Sequence, residues 1–166
     1  MDFSKFHNIT SFIFDVDGVL SDGSLQITEA GELLRTVSAR DGMGIRIAIE
    51  AGFNVAIITG GKSAGVEDRF RALGVQDYYG GAWNKAEVLE EYLSTKNLAY
   101  ANVSFMGDDV NDLQVLQKVG LSACPKNAAN DILPICEFIS SYDGGKGCAR
   151  ELIEKTMRIQ NKWITS

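Results

Sequence analysis

The sequence predicts an α/β fold, a doubly wound, mostly parallel Rossmann-like sheet carried by one domain over residues 1–166. Three observations lead there. Short apolar runs alternate with stretches of helical period, which is the rhythm of βαβ units. The helical stretches stop at glycines, among them Gly52, Gly74 and Gly120. The residues that follow the apolar runs are Asp, Thr and Gly, the types needed where a parallel sheet opens onto a ligand crevice.

Each element follows in turn. Residues 9–15 form a first buried strand around Phe12-Ile13-Phe14. Residues 24–27 and 32–37 flank Thr28-Glu29-Ala30-Gly31 and read as a β-hairpin with a four-residue loop, inserted after the first strand. Its second arm puts Leu33 and Val37 on one face and Leu34 on the other, so it is apolar on both sides and needs a surface to pack on. A helix over 43–51 carries Met43, Ile47 and Ala48. The second sheet strand, 53–58, ends at Thr59-Gly60-Gly61. A helix over 64–73, a strand over 75–79 and a helix over 85–93 come next. The strand 103–106 ends at Gly107-Asp108-Asp109, and a helix over 111–119 leads to short strands at 121–124 and 138–139. The last helix, 149–159, carries Ala149, Leu152, Ile153 and Thr156 on one stripe.

Composition narrows the function. With 16 Lys and Arg against 22 Asp and Glu, the chain has a net charge of −6, which argues against nucleic acid or an anionic membrane as partner. One histidine, His7, excludes histidine-based triads and multi-histidine metal sites. Cys124, Cys136 and Cys148 have neither metal-knuckle spacing nor the parity of a disulfide framework, so they are expected as reduced thiols. The first residues open no long apolar run, and no stretch is apolar enough to span a bilayer, so a cytoplasmic protein is expected.

The strand ends carry the chemistry. Asp15 and Asp17 follow the first strand, Thr59 the second, and Asp108 and Asp109 the fourth, with Asn111 and Asp112 a turn later; Lys85 opens the helix after the third. Clustered carboxylates raise one another's pKa unless a cation joins them, and Mg²⁺ suits such an oxygen donor set. A carboxylate shielded by that charge can attack phosphorus, so Asp15 is the candidate nucleophile of an aspartyl-phosphate route. Asp17, two residues on, can protonate the leaving oxygen and then activate water. Thr59 and Lys85 can hold the phosphoryl oxygens. Any one of these residues alone would read as a turn, a cap or a surface lysine.

At these residues the sequence resembles the haloacid dehalogenase superfamily of phosphatases. Phe14-Asp15-Val16-Asp17-Gly18-Val19-Leu20 is similar to its first motif, and Thr59, Lys85 and Gly107-Asp108-Asp109-Val110-Asn111-Asp112 match the second, third and fourth in order and type. Together with Ser21-Asp22-Gly23, the hairpin, Arg40-Asp41-Gly42-Met43-Gly44-Ile45 and Gly144-Gly145-Lys146-Gly147, they resemble the 3-deoxy-D-manno-octulosonate 8-phosphate phosphatases over nearly the whole chain.

The resemblance implies that Asp15 is nucleophile and metal ligand, that Asp17 is acid/base and binds Mg²⁺ through its backbone carbonyl, and that Asp108 is the third ligand, with Asp109 and Asp112 behind them. It implies that Ser38, Ala39, Arg40, Asp41, Gly42, Gly60, Arg46 and Arg69, with Asp17 and Lys85, meet a sugar-acid phosphate; a guanidinium fork suits a carboxylate. No cap domain fits in the 36 residues between Asp22 and Thr59 or the 25 between Thr59 and Lys85. The resemblance implies instead a homotetramer, in which a ring of hairpins covers every edge and a neighbour serves as lid. One position departs from the pattern: relatives carry Arg directly after the Thr-Gly of the second motif, or Glu when they act on nine-carbon acids, and this chain has Gly61.

Other readings are weighed on the same residues. Gly61-Lys62-Ser63 mimics the end of a nucleotide-binding P-loop, but the glycine required five places earlier is Ala56. A receiver-like phosphoacceptor also has an acidic parallel sheet, yet it has no use for Asp17. A phosphatase for a nine-carbon, sialic-acid-like 9-phosphate remains as an alternative substrate class. The three glycines of residues 144–147 suggest a mobile segment that closes over a site.

Overall fold

The structure is a computed structural model that describes residues 3–163. In chain order its elements are α1 (Ser4–Asn8), β1 (Ser11–Phe14), β2 (Gln26–Ile27), β3 (Leu33–Leu34), α2 (Ala39–Glu50), β4 (Asn54–Thr59), α3 (Ala64–Ala72), β5 (Asp77–Gly80), α4 (Lys85–Lys96), β6 (Val103–Met106), α5 (Leu113–Leu116), β7 (Leu121–Cys124), β8 (Phe138–Ile139) and α6 (Cys148–Ile159). Six strands form one parallel sheet in the order β5-β4-β1-β6-β7-β8. β1 lies near its centre, with Phe12 opposite Val55 on one side and Ser104 on the other.

Side-chain alternation along the strands sets the two layers. Phe12 and Phe14 of β1, with Val55 and Ile57 of β4, enter one core with Phe6, Ile45, Ala48, Phe70, Leu152 and Ile153. Ile13, Ala56 and Ile58 enter the other, against Leu89, Tyr92 and Leu93 of α4 and Val115 and Leu116 of α5. Helices thus cover both faces, as the doubly wound reading requires. The helices start at side-chain caps: Ser38 accepts from the Asp41 amide at 3.2 Å, Ser63 from Val66 at 3.4 Å, and Asn84 from Glu87 at 3.4 Å. The Ser38 cap begins α2 at Ala39, four residues before its apolar stripe.

Four expectations are corrected. α1 was not foreseen; Phe6, which is fully buried, anchors it. The hairpin is shorter than its apolar arms suggested, with Gln26 opposite Leu34, Ile27 opposite Leu33, and a loop of residues 28–32 closed by the Thr28 amide on the Glu32 carbonyl at 3.0 Å. The expected helix over 111–119 is a 3₁₀ turn, Val110–Asp112, followed by the short α5, because Asp109 caps that turn through the Val110 amide at 2.7 Å.

The fourth correction concerns residues 144–147, which form a pinned turn. Gly144 donates to Asn127 Oδ1 at 2.9 Å, Gly145 to the Val19 carbonyl at 2.8 Å, and Gly147 to Asp41 Oδ2 at 3.1 Å. A Cβ on Gly144 would lie 1.9 Å from the Gly18 carbonyl oxygen, so glycine serves close packing here. None of the described helices is long and apolar enough to cross a membrane.

Candidate active site

The carboxyl ends of β1, β4 and β6 open onto a pocket of about 490 Å³, lined by Asp15, Asp17, Gly18, Gly23, Thr59, Gly60, Gly61, Trp83, Asp108, Asp109, Val110 and Asn111. A larger hollow of about 600 Å³ along α6 mixes Arg40, Arg150 and Arg158 with Glu151 and Glu154 and gathers no nucleophile, so the chemistry lies in the smaller one.

Asp15 is almost wholly buried at the end of β1. Its Oδ1 accepts from the Val16 amide at 2.6 Å, and its Oδ2 lies 2.6 Å from Lys85 Nζ. Lys85, on the first turn of α4, also lies 2.6 Å from Asp112 Oδ1 and so bridges two buried carboxylates. The second oxygen of Asp112 accepts from the amides of Asp108 at 3.0 Å and Asp109 at 3.5 Å. Asp112 therefore fixes the loop after β6, and Gly107 admits it: a Cβ there would sit 2.4 Å from Asp112 Cγ.

Asp108 comes over the turn after β1 because Gly18 stands there. Gly18 has φ +85°, and a Cβ on it would lie 1.9 Å from Asp108 Oδ2. Two constraints, backbone hand and contact, thus demand glycine at one position.

The charges report the crowding. Burial, then the Asp112 charge, pushes Asp15 up to about 6, against the pull of Lys85. Burial, then Asp15, Asp112 and Asp109, pushes Asp108 up to about 7. Burial opposes the Lys85 charge, but Asp15 and Asp112 outweigh it and raise its pKa. Carboxyl oxygens of Asp15, Asp108 and Asp112 lie within 4.8 Å of one another. Asp15 and Asp108, which resist joint ionisation, fit a hard divalent cation, which removes the conflict. Asp112 is fully buried behind the pocket, whereas Asp15 and Asp108 line it, which makes these two the carboxylates for such an ion.

The structure brings Asp15, Asp17, Thr59, Gly60, Asp108 and Asp109 to one pocket, with Lys85 and Asp112 directly behind. It does not bring Ser38, Ala39, Arg40, Asp41, Gly42, Arg46 or Arg69, the other residues expected at the sugar acid, into that pocket. Asp41 is 1% exposed, and its oxygens accept from the Gly147 amide at 3.1 Å and the Arg150 amide at 2.8 Å, capping α6. Ser38 caps α2, Ala39 and Gly42 lie in its first turn, and Arg40 faces the hollow along α6. Arg46 pairs with Glu50 at 2.8 Å on the outer face of α2. Arg69 lines a separate groove of about 500 Å³ with Leu33, Leu34, Thr36 and Val37, beside the pocket.

Sequence reasoning missed Arg35. Its guanidinium grips Asp17 with both arms, Nε to Oδ1 at 2.6 Å and Nη2 to Oδ2 at 3.0 Å. The one sequence signal was indirect: Gly61, the glycine that departs from the second motif, lies against it.

A doubly wound sheet that presents a buried aspartate, a lysine bridge and a cation-ready acid pair at its carboxyl edge defines an aspartate-based hydrolase. Residues 79–152 match the family model of the haloacid dehalogenase-like hydrolases. The chain is 40% identical over 159 residues to the 3-deoxy-D-manno-octulosonate 8-phosphate phosphatase KdsC of Escherichia coli K12, covering 96% of this chain and 85% of that one. The crystal structure of the Yersinia pestis phosphatase of that name superposes with a TM-score of 0.94 at 36% identity, over 96% of this chain and 86% of that one. The phosphatase of Moraxella catarrhalis, solved with a magnesium ion, a phosphate ion and a KDO molecule, gives 0.93 at 29% identity over 96% of this chain and 91% of that one. The chain belongs to the 3-deoxy-D-manno-octulosonate 8-phosphate phosphatase family of the haloacid dehalogenase-like hydrolases, which removes the receiver-like reading.

Proposed function

We propose that this protein hydrolyses the phosphate monoester of a 3-deoxy sugar acid, 3-deoxy-D-manno-octulosonate 8-phosphate, with Mg²⁺ held by Asp15, Asp108 and the Asp17 carbonyl. The observation that carries the reading is Lys85, clamped at 2.6 Å between Asp15 and Asp112, which presents one fixed carboxylate at the floor of the pocket. When bound, the cation shields the substrate phosphate from that carboxylate's charge. Asp15 attacks phosphorus and takes the phosphoryl group, the sugar oxygen leaves with a proton from Asp17, and Asp17 then takes a proton from the water that frees phosphate. Thr59, 2% exposed at the end of β4, supplies its hydroxyl to the phosphoryl oxygens.

The active form is a homotetramer in the cytoplasm. Exposed apolar residues of the hairpin, Ile27 at 74% and Leu34 at 48%, support the assembly, because the next subunit buries them and closes the site. Three free thiols, Cys124, Cys136 and Cys148, fit a reducing compartment. In that assembly Arg69, Arg46 and the segment from Ser38 to Gly42 are available to a substrate's far end or to a neighbour.

The test compares kcat/KM for the eight-carbon acid phosphate, a nine-carbon 3-deoxy acid phosphate and a neutral hexose phosphate. The eight-carbon acid is expected to lead; a lead for the hexose phosphate would overturn the sugar-acid reading, and a lead for the nine-carbon acid would replace the substrate. Asp15→Asn keeps shape and loses the nucleophile, so phosphate release should fall to background in a folded protein. Turnover that survives in that variant refutes the covalent route.

A further inference from the structure

We propose that Arg35 is a positioning residue for the acid/base aspartate, and that Gly61 is glycine because this guanidinium needs the space. The proposal rests on the phosphatase reading above. Asp17 follows a turn and its side chain is one-third exposed, so by itself it would sample several rotamers across the pocket mouth. Arg35 removes that freedom. Its fork meets both carboxylate oxygens in the bidentate arrangement that fixes direction as well as distance.

The arginine is itself held. Its side chain is only 4% exposed, its Nη1 donates to the Leu33 carbonyl at 3.2 Å, and it lines a small cavity together with Thr59, Gly61 and Tyr78. A Cβ on Gly61 would stand 3.0 Å from Arg35 Nη2 and 3.2 Å from Asp17 Oδ2. Both distances are shorter than ordinary contact, so a side chain at 61 and an engaged Arg35 compete for one place. Lysine would not replace this arginine, because an ammonium is a point charge that cannot orient a carboxylate plane. Arg35 touches Asp17 rather than the reacting atoms: with both arms engaged it holds the ionised carboxylate, and when Oδ2 carries the proton for the leaving oxygen the longer Nη2 contact yields while Nε keeps Oδ1 in place, so the donated proton stays aimed at the leaving oxygen.

That step can be separated from the others by the leaving group. A sugar alkoxide needs the proton, whereas p-nitrophenolate departs without one. We would measure kcat and KM for the wild type, Arg35→Ala, Arg35→Lys, Gly61→Arg and the double variant Arg35→Ala/Gly61→Arg, each on 3-deoxy-D-manno-octulosonate 8-phosphate and on p-nitrophenyl phosphate.

A lost general acid typically costs about 10²-fold or more. The expected result, read in kcat/KM because that ratio reports phosphoryl transfer and not the later water step that both substrates share, is a fall of about that size on the sugar phosphate for Arg35→Ala, a loss of no more than about threefold on p-nitrophenyl phosphate, and an intermediate value for Arg35→Lys. Gly61→Arg alone should lose activity by displacing Arg35. The double variant should recover at least about tenfold over Arg35→Ala, since the returned guanidinium enters the vacated slot. Equal losses in kcat/KM on both substrates would make Arg35 a phosphate binder or a fold support and overturn the proposal. So would an unchanged Arg35→Ala, or a double variant no better than the single. If Arg35→Ala does not fold, the leaving-group contrast in Arg35→Lys and Gly61→Arg decides in the same way. A wild type inactive on both substrates would remove the phosphatase reading itself.

Discussion

The carboxyl edge of the sheet and the hairpin that rises beside it follow opposite rules. At the edge, the charged groups are buried and fully engaged: Lys85 holds Asp15 and Asp112, and the amides of Asp108 and Asp109 hold the other Asp112 oxygen. Among the described residues, no buried side-chain oxygen or nitrogen lacks a partner. The hairpin has two residues in each strand, its leucines and Ile27 face outward, and its firmest link to the rest is one guanidinium on Asp17. The edge is complete within one chain, whereas the hairpin is complete only against another surface. The chemistry is thus carried by the subunit, and in the proposed tetramer its enclosure falls to the assembly.

The strongest way to break this contrast is to open the edge. Lys85→Met leaves two buried carboxylates facing each other without their cation, and removing one partner of a buried pair costs about 3–5 kcal/mol. Denaturant unfolding of the metal-free variant should show a loss of that order, and added Mg²⁺ should restore part of it. A loss below about 1 kcal/mol would mean that the bridge is not what holds the edge together.

The pH response of the same edge comes next. Asp15 and Asp108 have folded-state pKa values of about 6 and 7, both raised above the ordinary 3.8. Between pH 4 and 7 the folded protein therefore holds protons that the unfolded chain has released. The stability those protons contribute is complete below pH 4 and is lost as pH rises through 6 and 7. The Tm of chelated protein should fall from pH 5 to pH 8, and the Mg²⁺-induced rise in Tm should be larger at pH 8 than at pH 5.5. A rise that is larger at the acid end would contradict the assignment of these carboxylates as ligands.

The smallest effect on the fold is expected at the hairpin. Ile27→Glu with Leu34→Glu replaces two exposed apolar residues, so the stability of one subunit should change by no more than about 0.5 kcal/mol. If the proposed tetramer is built on the hairpin, the same pair should dissociate it, read as mass by light scattering, and raise KM through the lost enclosure. A variant that stays tetrameric would place the interface elsewhere.

The two regions also differed in how much the sequence disclosed. The edge was legible because strand ends and their acids lie in fixed order, and because the types at 15, 17, 59, 85 and 108 have few other uses together. Arg35 was not, since eighteen positions separate it from Asp17 and nothing in the hairpin's alternation marks it. α1 escaped because a five-residue helix shows little periodicity. Asp41 misled for a different reason: a carboxylate two residues into a helix can face a ligand or cap another helix, and only the packing of α2 on α6 decides.

The turn at residues 144–147 ties the start of α6 to the loop after β1 and to α2. The Val19 carbonyl takes the Gly145 amide and the Cys148 thiol, while Asp41 takes the first amides of α6. A ribosome that has delivered everything through residue 140 has therefore exposed Asp15, Thr59, Lys85 and Asp108 and can already pair their strands. The loop that aims Asp15 and Asp17 still lacks its fastening. Domains form largely as they emerge from the ribosome, but here an earlier segment waits for a later one. Competence to act on phosphate then waits until residues 144–150 have joined the strands.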